Sequence, residues 1–322
     1  MLLNLLEYHW AEDIDDALLL LSRTDIKTVP LAGGTYILGQ ADETIQAVVD
    51  LRDLQLSYIK EDAQALHIGA MTTLQNIADA PALKNSADGI LSRAAQASSF
   101  SRLLRNSATL GGTLGAGMAS QADLLAALSV MDAEVVVRSG SQTSVNLGGA
   151  QRAGQAHEWA GQAGIVYKGK HERRLAFHSF ALEHRPNELI IEVRIPRPAM
   201  SAGGAFQRVG RTPTDVALLN AVALVEVQDE VYQRVRLALG GVNMEPVRLY
   251  AIEQQLEGKP ADVGAQFTAP IVQASMADVR LPSDFRASSG YRHVCGINLV
   301  NRVLEEATNG SRWRGKFSGK RA

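Results

Sequence analysis

LAGGTYIL, residues 31–38, sets two adjacent glycines between two apolar runs. Val29, Leu31 and Ala32 read as the end of a buried strand, but packing alone gives no reason for Gly33 and Gly34. Glycine adopts positive φ freely and, lacking Cβ, lets a backbone come close to another group. The pattern returns in RNSATLGGTLGAG, residues 105–117, with four glycines and Thr109 and Thr113 around the central pair. One glycine pair fits a tight turn as well as a ligand cradle. Two of them, each following an ordered element, point to a backbone that wraps something.

Outward from these stretches, the chain reads as short alternating elements. Residues 12–23 predict a helix with acids in its first turn and Arg23 at its end, as the helix dipole favours. Residues 28–31 and 45–51 read as buried strands, and 56–60 with 65–69 as a hairpin. A threonine cap in MTTLQNIADAPAL opens a short helix that Pro81 ends or interrupts. One helix is expected over 88–102 and another over 122–131, the latter running into a strand at 134–138. Residues 139–174, rich in Gly, Gln, Ser and Ala, read as a long irregular insertion. ELIIEVRIPRP, residues 188–198, is a strand stopped by Pro196 and Pro198, and that proline pair reads as the domain boundary. Beyond it, β-like runs at 205–210, 216–228 and 231–239 precede helical patterns at 247–257, 268–278 and 291–307. That is the order of an α+β domain with helices on one face of a sheet. The division is therefore 1–198 (parts at about 1–55 and 56–198), 199–310, and a basic tail, 311–322, read as a frayed solvated end.

Composition narrows the function. A chain of 322 residues exceeds one ordinary core and suggests two or three domains. A net charge of -2 and 5% aromatic content supply neither the basic field nor the stacking surface of a nucleic-acid binder. The single Cys295 can form no internal disulfide and cannot hold an iron–sulfur cluster, and it suits a reducing cytoplasm. No signal-peptide pattern opens the chain, and no apolar run reaches the roughly 18–20 residues that span a bilayer.

Successive backbone N–H groups in a glycine turn form a concave donor nest suited to phosphate oxygens. Two facing nests would suit a diphosphate. Neither G-x-G-x-x-G after a strand nor G-x-x-x-x-G-K-[ST] occurs, so the Rossmann and P-loop readings lose their support. Asp123, near the start of a helix, could accept from ribose hydroxyls, or could simply serve the helix dipole. Arg102, Arg105, Arg208 and Arg211 could meet a phosphate-rich ligand or be ordinary surface charge. His171, His178 and His184 have no metal-ligand spacing, and no metal site or catalytic residue is expected.

Taken together, LAGGTYIL, NSATLGGTLG and the following SQAD resemble the FAD-binding subunit, or domain, of the molybdenum hydroxylases. That family includes xanthine dehydrogenase, aldehyde oxidase and aerobic carbon monoxide dehydrogenase. AFQRVGRTPTDVALLNAVAL, LGGVNMEPVRLYAIEQQLEGK and SSGYRHVCGINLVNRVLEEA resemble the C-terminal domain of the same subunits. Residues 139–174 and the tail fall outside the resemblance. It implies an α+β chain. A two-part FAD-binding domain of the vanillyl-alcohol-oxidase-like (PCMH) type would be followed by an α+β domain with a small antiparallel sheet and packed helices.

The resemblance also implies roles. Ala32, Gly33, Gly34 and Thr35, with Leu31, Tyr36, Ile37 and Leu38 beside them, would wrap the FAD diphosphate. Thr109, Gly111, Gly112 and Thr113 would form a second loop near the diphosphate and flavin. Ser120 and Asp123 would hold the ribose or adenosine end, and Arg208 would meet the flavin edge or a phosphate. Tyr36 stands where the family often has Asp, and Thr113 where it often has Asn. Partners would be a large subunit with the molybdopterin-type molybdenum cofactor and a small [2Fe–2S] subunit in a cytoplasmic hetero-oligomer. Electrons would pass from the clusters through FAD to NAD⁺, oxygen or a quinone. The alternatives are a stand-alone flavin oxidoreductase of the same fold and a flavin-free scaffold subunit.

Overall fold

The computed structural model describes residues 2–117, 122–144, 165–185, 187–212, 214–242, 245–261 and 264–318. The chain begins with β1 (Glu7–Trp10), α1 (Ile14–Leu21), β2 (Thr28–Leu31), α2 (Ile37–Gln40) and β3 (Ala47–Asp50). The three strands pair in parallel in the order β1-β3-β2. The central strand is buried at every position, so AVVD carries no alternation and only its last residue is polar. Asp13 opens α1 by accepting from the Asp16 amide. The first glycine pair follows directly on the carboxyl end of β2, the end where parallel sheets receive ligands.

The next unit starts with the hairpin β4 (Ile59–Glu61) and β5 (Ala65–Gly69). Six short helices follow: α3 (Leu74–Asp79), α4 (Pro81–Asn85), α5 (Ile90–Ala97), α6 (Arg102–Ser107), α7 (Leu110–Ala116) and α8 (Ala122–Val130). The strands β6 (Glu134–Ser144) and β7 (Ile165–Ala176), the short helix α9 (Phe180–Glu183) and β8 (Glu188–Pro196) complete it. The antiparallel sheet runs β4-β5-β8-β6-β7. Its two faces are both covered. Ile68, Val135, Val137, Val193 and Ile195 pack against Leu74, Ile77, Ile90, Leu91, Leu110, Leu124 and Leu128 of the helices. Val136, Leu189 and Ile191 on the other face meet Leu18, Val49, Leu51 and Leu54 of the first unit. Each such Leu, Ile or Val contributes about 1.5–3 kcal/mol on full burial.

The last unit is the antiparallel sheet β12-β11-β10-β9, made of β9 (Gly203–Val209), β10 (Leu219–Gln228), β11 (Val231–Gly240) and β12 (Val247–Arg248). The helices α10 (Tyr250–Leu256), α11 (Gly264–Met276) and α12 (Ser289–Ser318) cover one face through Ile252, Leu256, Val272, Met276, Leu299, Val300, Val303 and Leu304. Phe206, Val222, Leu224 and Ala238 on the opposite face join the helical core of the second unit. The α+β class and the strand-then-helix order of this part are as expected.

Three expectations need correction. Residues 139–144 and 165–174 are not irregular: they extend the β6–β7 hairpin, paired from Ser139 with His171 to Ser144 with Ile165. Residues 145–164 lie outside the described residues. The helix expected over 88–102 is broken, because Ser101 caps a new helix by accepting from Leu104. The buried Arg105 ties the intervening turn, donating to the Ser99 and Phe100 carbonyls. The tail is not frayed at residues 311–318, which continue α12. The hydroxyl oxygen of buried Ser311 accepts from the Val227 amide, locking that turn to the sheet.

Candidate functional site

The two glycine segments, far apart in sequence, are neighbours in space. At Gly33 an added Cβ would lie 1.7 Å from the Ser107 carbonyl oxygen and 3.3 Å from Ala108 Cα. Gly33 is therefore required by the chain itself, whatever binds above it. Gly34 has φ +71°, with Leu38 and Leu31 folded around it. Thr35 and Tyr36 are exposed, Ile37 opens α2, and Tyr36 stands at the cap position without a side-chain cap bond. Ala32 approaches the second segment, its Cβ being 3.9 Å from where a Gly112 Cβ would stand.

Backbone hydrogen bonding separates the two segments by role. The amides of Gly33, Gly34, Thr35 and Tyr36 donate to no other described residue. Four consecutive donors on a partly exposed turn at the end of a parallel strand form a nest for an anion. The second segment is different, and the expected loop is a helix. Thr109 caps α7, its hydroxyl oxygen accepting from Gly112. Leu110 donates to the Thr72 carbonyl and Gly111 to that of Ala70. The Thr113 hydroxyl donates to the Thr109 carbonyl at 2.9 Å and is buried. Thr109, Gly111, Gly112 and Thr113, expected as a second loop near the diphosphate and flavin, thus form the cap and first turn of α7 beside the first segment. Glycine pairs suggest loops locally, and only the anchoring to residues 70–72 reveals the helix.

Ser120 lies outside the described residues. Asp123 is in the first turn of α8 but only 2% exposed, in the seam between α8 and the last sheet. Its carboxylate accepts from Asn220 Nδ2 at 2.7 Å, and Arg208 Nε lies 3.4 Å from its other oxygen. Burial raises the Asp123 carboxyl above its ordinary value, while Arg208 and Asn220 pull it back. Arg208 also donates to the Asp215 carbonyl. Of the four arginines considered for a phosphate, Arg105 serves carbonyls, Arg211 pairs with Asp215 at 3.2 Å, and Arg102 is exposed. Only Arg208 joins Asp123. The sequence reading missed Asn220, a fully buried amide in the apolar run LLNAVAL; its isolation among Leu, Ala and Val was the available signal.

Among the described residues, no group of three or more His, Cys, Asp and Glu side chains is arranged to hold a metal. No helix among them is long and apolar enough to cross a membrane.

The chain has relatives among known proteins. Residues 4–148 match the family described as the FAD binding domain in molybdopterin dehydrogenase, and residues 204–307 match the CO dehydrogenase flavoprotein C-terminal domain. The glyceraldehyde dehydrogenase medium chain of Sulfolobus acidocaldarius is 24% identical over 303 residues, covering 93% of this chain and 97% of that one. The carbon monoxide dehydrogenase structure from Hydrogenophaga pseudoflava aligns with TM-score 0.78 at 22% identity, over 96% of this chain and 99% of its counterpart. Quinoline 2-oxidoreductase from Pseudomonas putida 86 aligns with TM-score 0.76 at 22% identity, over 95% and 98%.

Proposed function

The chain belongs to the FAD-binding subunits of the molybdenum hydroxylase family, and from that membership we propose that it is the flavin-bearing electron-transfer subunit of a hetero-oligomeric dehydrogenase. FAD, when bound, supplies an electron acceptor that can be reduced and reoxidised without loss of atoms from the protein. The residues present fit that cofactor: four amides on the Gly33–Tyr36 turn, without partners among the described residues, offer a diphosphate its donors. That run of amides is the single observation that carries the proposal.

The chain's own work is to bind and orient. Ala32 to Thr35, with Tyr36 beside them, wrap the diphosphate, the amides of Gly33 to Tyr36 donating, and Leu31, Ile37 and Leu38 give the turn an apolar base. The carboxyl end of α6 holds the turn in place through the Ser107–Gly33 contact. Thr109, Gly111, Gly112 and Thr113, at the start of α7, stand near the diphosphate and flavin. Ser120, Asp123 and Arg208 serve the ribose, adenosine or flavin-edge side. With one cysteine, the chain holds no cluster of its own, so electrons arrive from a small [2Fe–2S] subunit. The substrate is oxidised at the molybdenum cofactor of a large subunit. NAD⁺, oxygen or a quinone takes the electrons onward, in the cytoplasm. The domain division proposed is 1–198 and the remainder, with the last helical turns belonging to the second domain.

The test is a visible absorption spectrum of the purified full chain before and after incubation with FAD. A flavin spectrum that survives gel filtration, with FAD released on denaturation, is expected. A protein that stays colourless overturns the flavoprotein reading in favour of a flavin-free scaffold. A substrate that bleaches the flavin of the chain alone favours the stand-alone oxidoreductase.

A further inference from the structure

Arg208, Asn220 and Gly240 form one row across three neighbouring strands, Asn220 lying opposite Arg208 on β9 and opposite Gly240 on β11. Against this row stands Asp123, on a helix of the other domain. The row is built for that approach. An added Cβ at Gly240 would lie 2.5 Å from Asn220 Oδ1 and 2.8 Å from the Ala122 carbonyl oxygen. Glycine there lets the start of α8 reach the sheet. The Asn220 amide has only one way to satisfy both neighbours: Oδ1 accepts from the Gly240 amide at 3.0 Å, and Nδ2 donates to Asp123 at 2.7 Å. Asn220 is fully buried and Asp123 nearly so. A hydrogen bond to a charged group in such surroundings is stronger than one between neutral groups and fixes a rotamer.

We infer that Asn220 is a positioning residue for the flavin site: it fixes the Asp123 carboxylate across the domain seam, and that carboxylate in turn sets the Arg208 guanidinium. The inference rests on the reading that Asp123 and Arg208 serve FAD. It makes flavin affinity depend on the C-terminal domain through an amide that never touches the ligand. The charge facing Asp123 is Arg208 of β9, since the Asp215 carboxylate is turned to Arg211.

Three variants of the full chain test this: Asn220→Asp, Asp123→Asn, and the double exchange of both. Each is measured for melting temperature without FAD and for FAD affinity by quenching of flavin fluorescence. Asn220→Asp keeps the acceptor for Gly240 but sets a second carboxylate against Asp123, and FAD binding is expected to weaken at least about tenfold. Asp123→Asn is expected to weaken it similarly. The double exchange restores an amide–carboxylate pair across the seam, so the melting temperature returns toward that of the parent. FAD affinity stays low, because Arg208 now faces a neutral side chain. Recovery of both quantities overturns the inference and leaves the pair as a domain clasp. Asn220→Asp with unchanged FAD affinity also overturns it. If Asp123→Asn binds FAD as the parent does while melting lower, the underlying placement of Asp123 in the flavin site is what fails.

Discussion

Replacing Gly33 by alanine tests the contact that seats the first glycine turn against the end of α6. The new Cβ would stand 1.7 Å from the Ser107 carbonyl oxygen and 2.6 Å from its carbon, where such contacts do not go below 3.0 Å. The two backbones must therefore part by about 1.3 Å. Neither side yields easily. The Ala108 amide donates to Leu104, the Ala108 carbonyl accepts from Leu74, and Leu110 donates to Thr72. Overpacking of this kind costs about 1–3 kcal/mol, and each backbone hydrogen bond given up adds about 1 kcal/mol. If the displaced turn loses one charge-assisted bond to a diphosphate, affinity falls by about 1.5–3 kcal/mol, roughly 10- to 100-fold. Melting temperature and fluorescence titration with FAD measure the two effects separately. Gly39→Ala is the internal control: in the same short helix region an added Cβ meets nothing within 4 Å. It is expected to be neutral or to stabilise by up to about 1 kcal/mol. Gly33→Ala matching Gly39→Ala in both measurements would refute the argument that close approach requires Gly33.

Two further outcomes follow from charges outside the turn. Asp132 has φ +49° and accepts from Arg234, Arg236 and Arg248 at 2.7, 3.1 and 2.9 Å, joining the end of α8 to the last sheet. Asp132→Asn keeps a side chain that tolerates this backbone but removes the charge and turns one of the two accepting oxygens into a donor; because the site is a third exposed, a loss of about 1–3 kcal/mol in urea unfolding is expected. Burial opposes its ionisation, but Arg248 and Arg236 outweigh that and hold the carboxyl below its ordinary value. Its contribution is therefore present above the usual aspartate range and fades as pH falls through the lowered value. His67 takes the opposite sign: Glu192 and then Asp62 raise its pKa against burial, so its contribution is complete below about pH 6.5 and fades as pH climbs through the raised value. In His67→Gln, the slope of melting temperature against pH from about 6 to 8 should flatten; an unchanged slope would assign the slope to other groups.

The sequence alone determined most of the elements, because their signals are local. Thr73 and Asp13 announce helix starts, AVVD and the Val- and Leu-rich runs announce buried strands, and the proline pair at 196 and 198 ends one. The glycine motifs also carried the family, since a backbone that must approach closely shows in residue type. What the sequence could not determine was which group each glycine approaches. Gly33 meets the Ser107 carbonyl from a helix more than seventy residues away, and the second glycine segment becomes a helix because residues 70–72 accept its first amides. Tertiary structure also decided that Thr113 turns inward and that Asn220, a lone amide in an apolar strand, meets Asp123. Periodicity and caps act within a few residues along the chain. Donor–acceptor pairing between distant segments exists only once the sheets and helices have brought those segments together.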